Sequence, residues 1–377
     1  MALRAALCVL MAASPALASG FDSEEALGEA LFFETALSAN GTQSCSTCHD
    51  PEAGFVDPRR DAEGAFSRGD DGMSLGQRHA PTAAYAKFSP AFHQREDGEW
   101  MGGQFWDGRA ADLKAQAGGP ILNPIELGHG TEAEAVARLA EIEGYVASFK
   151  SLYDVDITDE TQAEAGFDGL TTALAAFETS ATFAPFDSKY DRYLRGEVEL
   201  TKVEELGRLL FFSEQFTNCN QCHQLRRSAM DAEEPFTDYL YHNIGVPANL
   251  SGRAVVGTPA DFVDNGLLDN PEVTDPAQRG KFKTPSLRNV AVTGPYMHNG
   301  VFQDLRTVVQ FYNKYNSRAE AAQINPETQE PWGAIPVPET LAETQLTHGP
   351  ALDDKRIDAL VAFLKTLTDQ RYEALLQ

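Results

Sequence analysis

The sequence predicts a mainly α-helical protein made of two related domains that pack together, with long loops and little strand. Apolar residues recur at helical spacing, with charged and polar residues between them. Glycine and proline punctuate the long segments that separate these helical patterns. A short segment of the first half of the chain also returns in the second half, which indicates two units of one design.

Helical spacing is clearest in two segments. Residues 131–153 carry Ala, Val, Leu and Ile at intervals with charges between them, which predicts helical structure there. An apolar stripe near the C terminus predicts a last helix, and its members are Ile357, Leu360, Val361, Leu364 and Leu367. Residues 50–80, 118–130 and 230–285 are rich in glycine and proline and are predicted to be loops.

The repeated segment sets the domain boundaries. Residues 25–33 read Glu-Ala-Leu-Gly-Glu-Ala-Leu-Phe-Phe, and residues 204–212 read Glu-Glu-Leu-Gly-Arg-Leu-Leu-Phe-Phe. A chain of 377 residues, 42% hydrophobic and 23% charged, is long enough for two domains with cores of their own. We therefore expect an N-terminal domain at residues 19–184 and a C-terminal domain at residues 185–377.

The first residues have the pattern of an export signal. Arg4 precedes an apolar run over residues 5–13, and Ala16-Leu17-Ala18 is typical of a cleavage site. Residues 1–18 are therefore predicted to be a signal peptide that directs the chain to the periplasm. The apolar run is too short to span a bilayer, and no later segment has the length of a membrane-spanning helix.

The net charge and the number of cysteines limit the classes of function that this protein can have. The formal net charge is −26, and loss of Arg4 with the signal peptide makes it −27, which argues against a nucleic-acid partner. Cys8 lies within the signal peptide, so the mature chain keeps four cysteines in two pairs.

Both pairs belong to a Cys-x-x-Cys-His motif, formed by Cys45, Cys48 and His49 and by Cys219, Cys222 and His223. Two thiols one helical turn apart suit the two vinyl groups of one haem, and the next histidine then lies under the iron. A zinc knuckle, a redox dithiol and a disulfide are the alternatives for a single motif. Because the motif and the segment before it are duplicated in an exported chain, we expect two covalently bound haem c groups and two cytochrome c-type haem domains.

Four further motifs carry a family resemblance: Phe105-Trp106-Asp107-Gly108-Arg109, Gln116-Ala117-Gly118-Gly119-Pro120, Lys283-Thr284-Pro285-Ser286-Leu287-Arg288-Asn289 and Gly294-Pro295-Tyr296-Met297-His298-Asn299-Gly300. Together they resemble the motifs of the bacterial dihaem cytochrome c peroxidase and MauG family, in order over nearly the whole mature chain. Residues 186–191 and 241–245 are most similar to the MauG branch. The resemblance implies that hydrogen peroxide reacts at the N-terminal haem and that the C-terminal haem stores or relays electrons.

The resemblance also assigns residues near the peroxide-reactive haem. Gln116, Pro120 and Glu126 match the residues over its open face, where proline leaves the iron without a ligand and the glutamate moves a proton. The alternative for Glu126 is a surface residue in a loop. Trp106 matches the residue that relays electrons between the haems, and its alternative is a core tryptophan.

The second haem needs a sixth ligand. The peroxidases have methionine fourteen residues after the histidine that corresponds to His298, whereas this position is Tyr312 here, as in the MauG branch. Leu305, Val308, Val309 and Tyr312 share one face of a predicted helix. A phenol oxygen favours oxidised iron more than a thioether does. A core tyrosine, and Met297 as the ligand, are the alternatives.

Two positions depart from the family pattern. Thr293 and Pro295 match carbonyl donors to a calcium ion, but His79 replaces the asparagine ligand. Four alternatives stay open here: calcium bound through backbone and water, His79 filling the site, His79 ligating the first haem, or His79 bonded to the backbone. Thr217 replaces a tryptophan that faces the oxidised protein in MauG, which leaves the protein partner open.

The resemblance implies a redox protein as partner. One candidate is the methylamine dehydrogenase precursor, oxidised during biogenesis of its tryptophan tryptophylquinone. The alternative is a cytochrome c peroxidase that draws electrons from a small cytochrome c or a cupredoxin. A dihaem electron carrier without catalysis is the third reading, and it would have no use for Gln116, Pro120 and Glu126.

Overall fold

The computed structural model describes residues 20–59, 65–226, 228 and 230–376. The predicted signal peptide, residues 1–18, and Cys8 lie outside the described residues. Within them, the α-helices are α1 (Glu24–Phe32), α2 (Cys45–Cys48), α3 (Leu113–Leu122), α4 (Glu132–Ala140), α5 (Glu143–Tyr153), α6 (Ala163–Glu178), α7 (Lys189–Leu194), α8 (Lys202–Phe211), α9 (Leu250–Val256), α10 (Leu305–Asn313), α11 (Glu343–Leu346) and α12 (Asp354–Lys365).

Strand is scarce in the described part of the chain. It consists of three antiparallel pairs of two-residue strands: His93–Gln94 with Trp100–Met101, Tyr241–His242 with Phe282–Lys283, and Ile324–Asn325 with Glu330–Pro331. The prediction of a mainly α protein with little strand is confirmed. None of the helices in the described ranges is long and apolar enough to cross a membrane.

The apolar side chains form two main cores. The first is built from residues between Leu27 and Ala184, and the second from residues between Tyr190 and Leu367. Phenylalanine rings dominate both centres, where they bury large apolar areas. Four of the five residues of the predicted C-terminal stripe are buried, and Val361 is half-buried.

The sequence repeat corresponds to a repeated packing contact. A Cβ on Gly28 of α1 would lie 1.9 Å from Ala173 O of α6, and a Cβ on Gly207 of α8 would lie 1.9 Å from Ala359 O of α12. Only glycine lets two helix backbones approach this closely. Each attachment motif therefore follows a helix that is locked against a long partner helix in the same way.

Three predicted segments differ from the structure. Residues 118–122 form the end of α3 and not a loop, because Phe167 and Phe105 pack within 3.2 Å of where Cβ atoms of Gly118 and Gly119 would lie. Residues 131–153 form two helices, which separate at Glu141 and Ile142. Residues 230–285 contain α9 and two short strands within the predicted loop.

Polar contacts join the two halves of the chain. Arg78 of the first half pairs with Asp264 of the second at 2.6 Å. The Tyr372 hydroxyl donates to Pro51 O at 2.6 Å. Arg288 and Asp191 form a fully buried bidentate pair at 2.7 and 3.0 Å beside this junction.

Candidate functional site

The first attachment motif lies on α2 and the residue after it. Ser44 and Thr47 form a capping box that starts the helix, and its single turn holds Cys45 and Cys48 one turn apart. His49 Nδ1 lies 3.1 Å from Phe55 O, and since a carbonyl only accepts, Nδ1 carries the hydrogen. Burial lowers the pKa of His49. A neutral imidazole with Nε2 left to bind a metal is the form that iron requires.

The second motif repeats this arrangement. His223 Nδ1 lies 3.2 Å from Phe236 O, and burial lowers the pKa of His223. Phe55 and Phe236 both have positive φ, 57° and 56°, so the carbonyls are presented by matching strained turns. Cys219, Cys222 and His223 line a cavity of about 230 Å³. These residues fit a covalently attached haem.

Three of the four motif cysteines lie where burial disfavours the thiolate. Burial is the main cause that raises the pKa of Cys45 to about 12 and the pKa values of Cys48 and Cys219 to about 11. Thiol exchange, which needs the thiolate, is therefore disfavoured at these three cysteines. All four cysteines are free, so no disulfide joins either pair.

Gln116 and Pro120 lie one turn apart on α3, and Glu126 follows on the loop that leaves this helix. Glu126 N donates to Asn123 O at 3.0 Å, and Asn123 Nδ2 donates to Glu126 Oε1 at 2.8 Å. Asp70 N donates to Glu126 O at 2.8 Å from another loop. The Glu126 backbone is therefore held by two loops and its carboxyl by Asn123, and the three predicted residues lie on α3 and on the loop that follows it.

The electrostatics of Glu126 suit proton transfer. Burial raises the pKa of Glu126, although Arg109 and the hydrogen bond from Asn123 act to lower it. Its charge also contributes to the raised pKa of Cys48, after burial and Asp57, which places the carboxyl on the side of the first motif. Arg109 is held by stacking 3.7 Å above the Phe105 ring and by Asp107 at 3.0 Å.

Trp106 borders two cavities. It lines the cavity of the second motif and also a cavity of about 140 Å³ between the two halves of the chain. Its Nε1–H donates to His79 O at 2.8 Å, and its ring meets the His298 ring edge-on at 6.5 Å. The indole is thus fixed in orientation and only half-buried.

Tyr312 lines the same cavity as His223. Leu305, Val308 and Val309 of α10 line it too, so this face of the helix points to the second motif. Burial raises the pKa of Tyr312, which keeps its phenol protonated in the absence of a metal. Met297 lines both cavities.

The residues matched to calcium ligands fit a hard cation poorly. His79, Thr293 and Pro295 line the 140 Å³ cavity, and no aspartate or glutamate is among the described residues that line it. Lys283 lines it as well. An ammonium group and an imidazole are unfavourable neighbours for a divalent cation that prefers oxygen ligands.

Thr217 is buried, and its hydroxyl donates to Leu210 O at 2.6 Å. It therefore stabilises the turn after α8 and does not face a partner. The preceding residue, Phe216, is 48% exposed and is the nearest aromatic side chain along the chain.

Two features near these motifs were missed from the sequence. The first is the hydrogen bond from Asn123 to Glu126, and the spacing of three residues, which lets side chains meet across one turn, is the signal that could have found it.

The second feature is the pair of His242 Nε2 and Asp238 Oδ2, which lie 3.0 Å apart. Burial lowers the pKa of His242, but hydrogen bonds and charge interactions with Asp238 and Cys222 together outweigh burial and raise the pKa to about 10. With Cys222 Sγ, these atoms lie within 4.8 Å of one another and form the one group with metal-ligand spacing among the described residues.

Comparisons with known proteins agree with this geometry. The sequence pattern of the di-haem cytochrome c peroxidase family matches residues 22–199. The chain is 53% identical over 357 residues to the methylamine utilization protein MauG of Paracoccus denitrificans, covering 94% of this chain and 91% of that one. It is 31% identical to cytochrome c551 peroxidase of Pseudomonas aeruginosa, covering 76% and 71% of the two chains.

A solved structure is similar over nearly the whole chain. The diheme peroxidase BthA from Burkholderia thailandensis superposes with a TM-score of 0.80 at 31% identity, covering 95% of this chain and 89% of that one. The relatives are haem oxidoreductases, and a peroxide-using oxidoreductase with two haem c groups follows for this chain. The chain belongs to the family of dihaem cytochrome c peroxidases and MauG proteins.

Proposed function

We propose that this protein takes up hydrogen peroxide at the haem of His49 and oxidises a protein partner through Trp106 and the haem of His223 and Tyr312. The observation that carries this proposal is the carboxyl of Glu126, which is held by Asn123 on the side of the first motif. A protein that only carried electrons would have no use for an acid–base group there. Each of the two cores is, on this proposal, one haem domain.

Glu126 is the proposed proton carrier. When bound, the haems supply the iron that takes peroxide and a two-centre store for its oxidising equivalents. The Glu126 carboxylate takes the proton from the inner peroxide oxygen and gives it to the outer oxygen, which leaves as water. Its raised pKa favours the first transfer, because a weaker acid is a stronger base in its ionised form. Asn123 keeps one carboxylate oxygen fixed while the other faces the substrate.

Gln116 and Pro120 complete the open side of this site. Proline has no side-chain donor atom, so at its position on α3 it offers the iron no ligand. Gln116, one turn earlier, presents an amide that donates to or accepts from a bound oxygen species. Tyr312, by contrast, offers a phenol oxygen to the second haem from α10.

The proposed partner is the methylamine dehydrogenase precursor, which would be oxidised to complete its tryptophan tryptophylquinone. Support comes from the 53% identity to MauG over nearly the whole chain. The second candidate is peroxide reduction with electrons from a small cytochrome c or a cupredoxin. Thr217 favours this second candidate, because a buried threonine stands where MauG has an oxidisable tryptophan. Turnover assays with each partner separate the two candidates.

On this proposal, the protein acts in the periplasm and without calcium. Export to the periplasm is inferred from the pattern of residues 1–18. Calcium has no part in the proposed reaction, because the imidazole of His79 stands where the family has an asparagine ligand, and Lys283 lines the same cavity as Thr293 and Pro295.

The Glu126→Gln variant tests the proposal. We expect unchanged haem content and a reaction with peroxide that is about 100- to 10,000-fold slower, since the amide cannot accept the proton. Stopped-flow absorbance at the haem bands measures this rate. Glu132→Gln, an exposed position at the start of α4, is the matched control and should react like the wild type. A Glu126→Gln rate within about a factor of two of the wild-type rate contradicts the proposal.

A further inference from the structure

Three tyrosines line the 140 Å³ cavity that Trp106 lines between the halves of the chain: Tyr85 from the first half, and Tyr239 and Tyr296 from the second. Of these, Tyr85 and Tyr239 are the buried ones, and Tyr296 is half-buried. Tyr85 is 1% exposed and Tyr239 is 4% exposed. Both phenols are therefore shielded from water and face the space beside the proposed electron relay.

The Tyr85 phenol has a carboxylate as its hydrogen-bond partner. Its hydroxyl donates to Asp369 Oδ1 at 2.6 Å. Asp369 Oδ2 accepts from Asn289 Nδ2 at 2.8 Å, and Asp369 N donates to Asn289 Oδ1 at 2.8 Å. Asp369 is thus fixed in position, and burial raises its pKa. A fixed carboxylate with a raised pKa is well placed to accept a proton from the phenol.

Oxidation of Tyr85 requires its phenol proton to leave. A phenol that has lost an electron is a strong acid, so its proton moves to a hydrogen-bonded base. The Arg288 guanidinium lies 5.0 Å from the centre of the Tyr85 ring and adds to this preference, because it repels a cation radical. Asp191 holds Arg288 in place and offsets part of this repulsion. Loss of an electron from Tyr85 is therefore coupled to transfer of its proton to Asp369.

Tyr239 lacks such a partner. Its hydroxyl oxygen is buried, and within the described ranges no group forms a hydrogen bond with it. Oxidation of Tyr239 would leave a proton with no acceptor in a site of low dielectric. Tyr85 and Tyr239 thus differ in whether a proton acceptor is bonded to the phenol.

We propose that Tyr85 is a redox-active residue that stores one oxidising equivalent, with Asp369 as its proton acceptor. One electron passes from the phenol to the haem pair, which holds two equivalents after reaction with peroxide and is thereby reduced by one. The O–H bond of Tyr85 breaks, its proton moves to Asp369 Oδ1, and a neutral tyrosyl radical remains. An electron from a reductant and the proton from Asp369 restore the phenol. This inference rests on the proposed peroxide reaction.

Rapid-freeze electron paramagnetic resonance after peroxide addition, without a reductant, tests the proposal. We expect a radical signal that narrows when the protein is grown with ring-deuterated tyrosine, which assigns it to tyrosine and not to Trp106. In Tyr85→Phe the signal should fall below about a tenth of the wild-type yield. Tyr239→Phe is the matched control and should keep the signal. A signal equal to that of the wild type in Tyr85→Phe, or no tyrosine signal in the wild type, overturns the proposal.

Asp369→Asn separates proton transfer from packing. The amide oxygen still accepts the Tyr85 hydrogen bond but is a far weaker base, so the radical yield should fall as in Tyr85→Phe. Haem content and thermal unfolding verify that each variant is folded. Absorbance of the haem bands is followed in the same samples. If the bands do not respond to peroxide in the wild type, both this inference and the proposed function fail; if they respond without a tyrosine radical, only this inference fails.

Discussion

The two attachment motifs hold their histidines in the same way and differ in what faces them. His49 and His223 bond to the carbonyls of Phe55 and Phe236 at 3.1 and 3.2 Å. On the proposed function, the end of α3 with Pro120 faces the first haem, whereas Tyr312 of α10 lines the cavity of the second motif. The duplicated scaffold would then fix where each haem is held, and the opposite side would decide what that haem does.

The largest expected effect concerns the shared scaffold. Gly28→Ala and Gly207→Ala each place a Cβ at 1.9 Å from a helix carbonyl, so both should be destabilised by about 3 kcal/mol or more and lose haem to similar extents. Thermal unfolding and haem content measure this. Gly76→Ala is the control, because its Cβ would meet no atom closer than 3.6 Å. A loss confined to one variant would show that the two units are not held alike.

A smaller effect is expected from the residue that orients Glu126. Asn123→Ala removes a hydrogen bond to a carboxylate, which should slow the peroxide reaction about 10- to 100-fold. The pKa of Glu126 should rise further, because the lost bond favoured the ionised form. The base is active above its pKa, so the acidic limb of the rate profile should move to higher pH. Stopped-flow rates from pH 5 to 8 measure the shift, and an unmoved limb would remove Asn123 from this role.

The sequence predicts the features that depend on neighbouring residues, and it does not predict contacts between residues that are far apart along the chain. The attachment motifs and the segment before each motif follow from local patterns that occur twice, whereas the contacts of Gly28 with Ala173 and of Gly207 with Ala359 do not. The helical end of α3 was missed, because a Gly-Gly-Pro run is typical of loops and the packing of Phe167 and Phe105 against it is not visible in sequence. The bond between Tyr85 and Asp369 joins residues 284 positions apart, so no local pattern predicts it.

The smallest expected effect comes from a substitution that changes only the proposed sixth ligand of the second haem. Tyr312→Met should keep both haems, because attachment depends on the cysteines, and should raise the potential of the second haem, since a thioether favours ferrous iron. Axial ligands tune haem potentials over about 0.8 V, so a shift on the order of 0.1 V is expected. Spectroelectrochemical titration of both proteins measures it. Identical potentials would show that Tyr312 only packs, and would favour electron-driven peroxide reduction over oxidation of a protein.

On our proposal, two sites of one design differ on the side that faces each histidine. Electron paramagnetic resonance of the oxidised protein tests this most directly. We predict one high-spin haem, left open at Pro120, and one low-spin haem, closed by Tyr312. Two low-spin signals would contradict the claim, because they would require a ligand such as His79 on the first iron and a resting state that must be reduced before it meets peroxide.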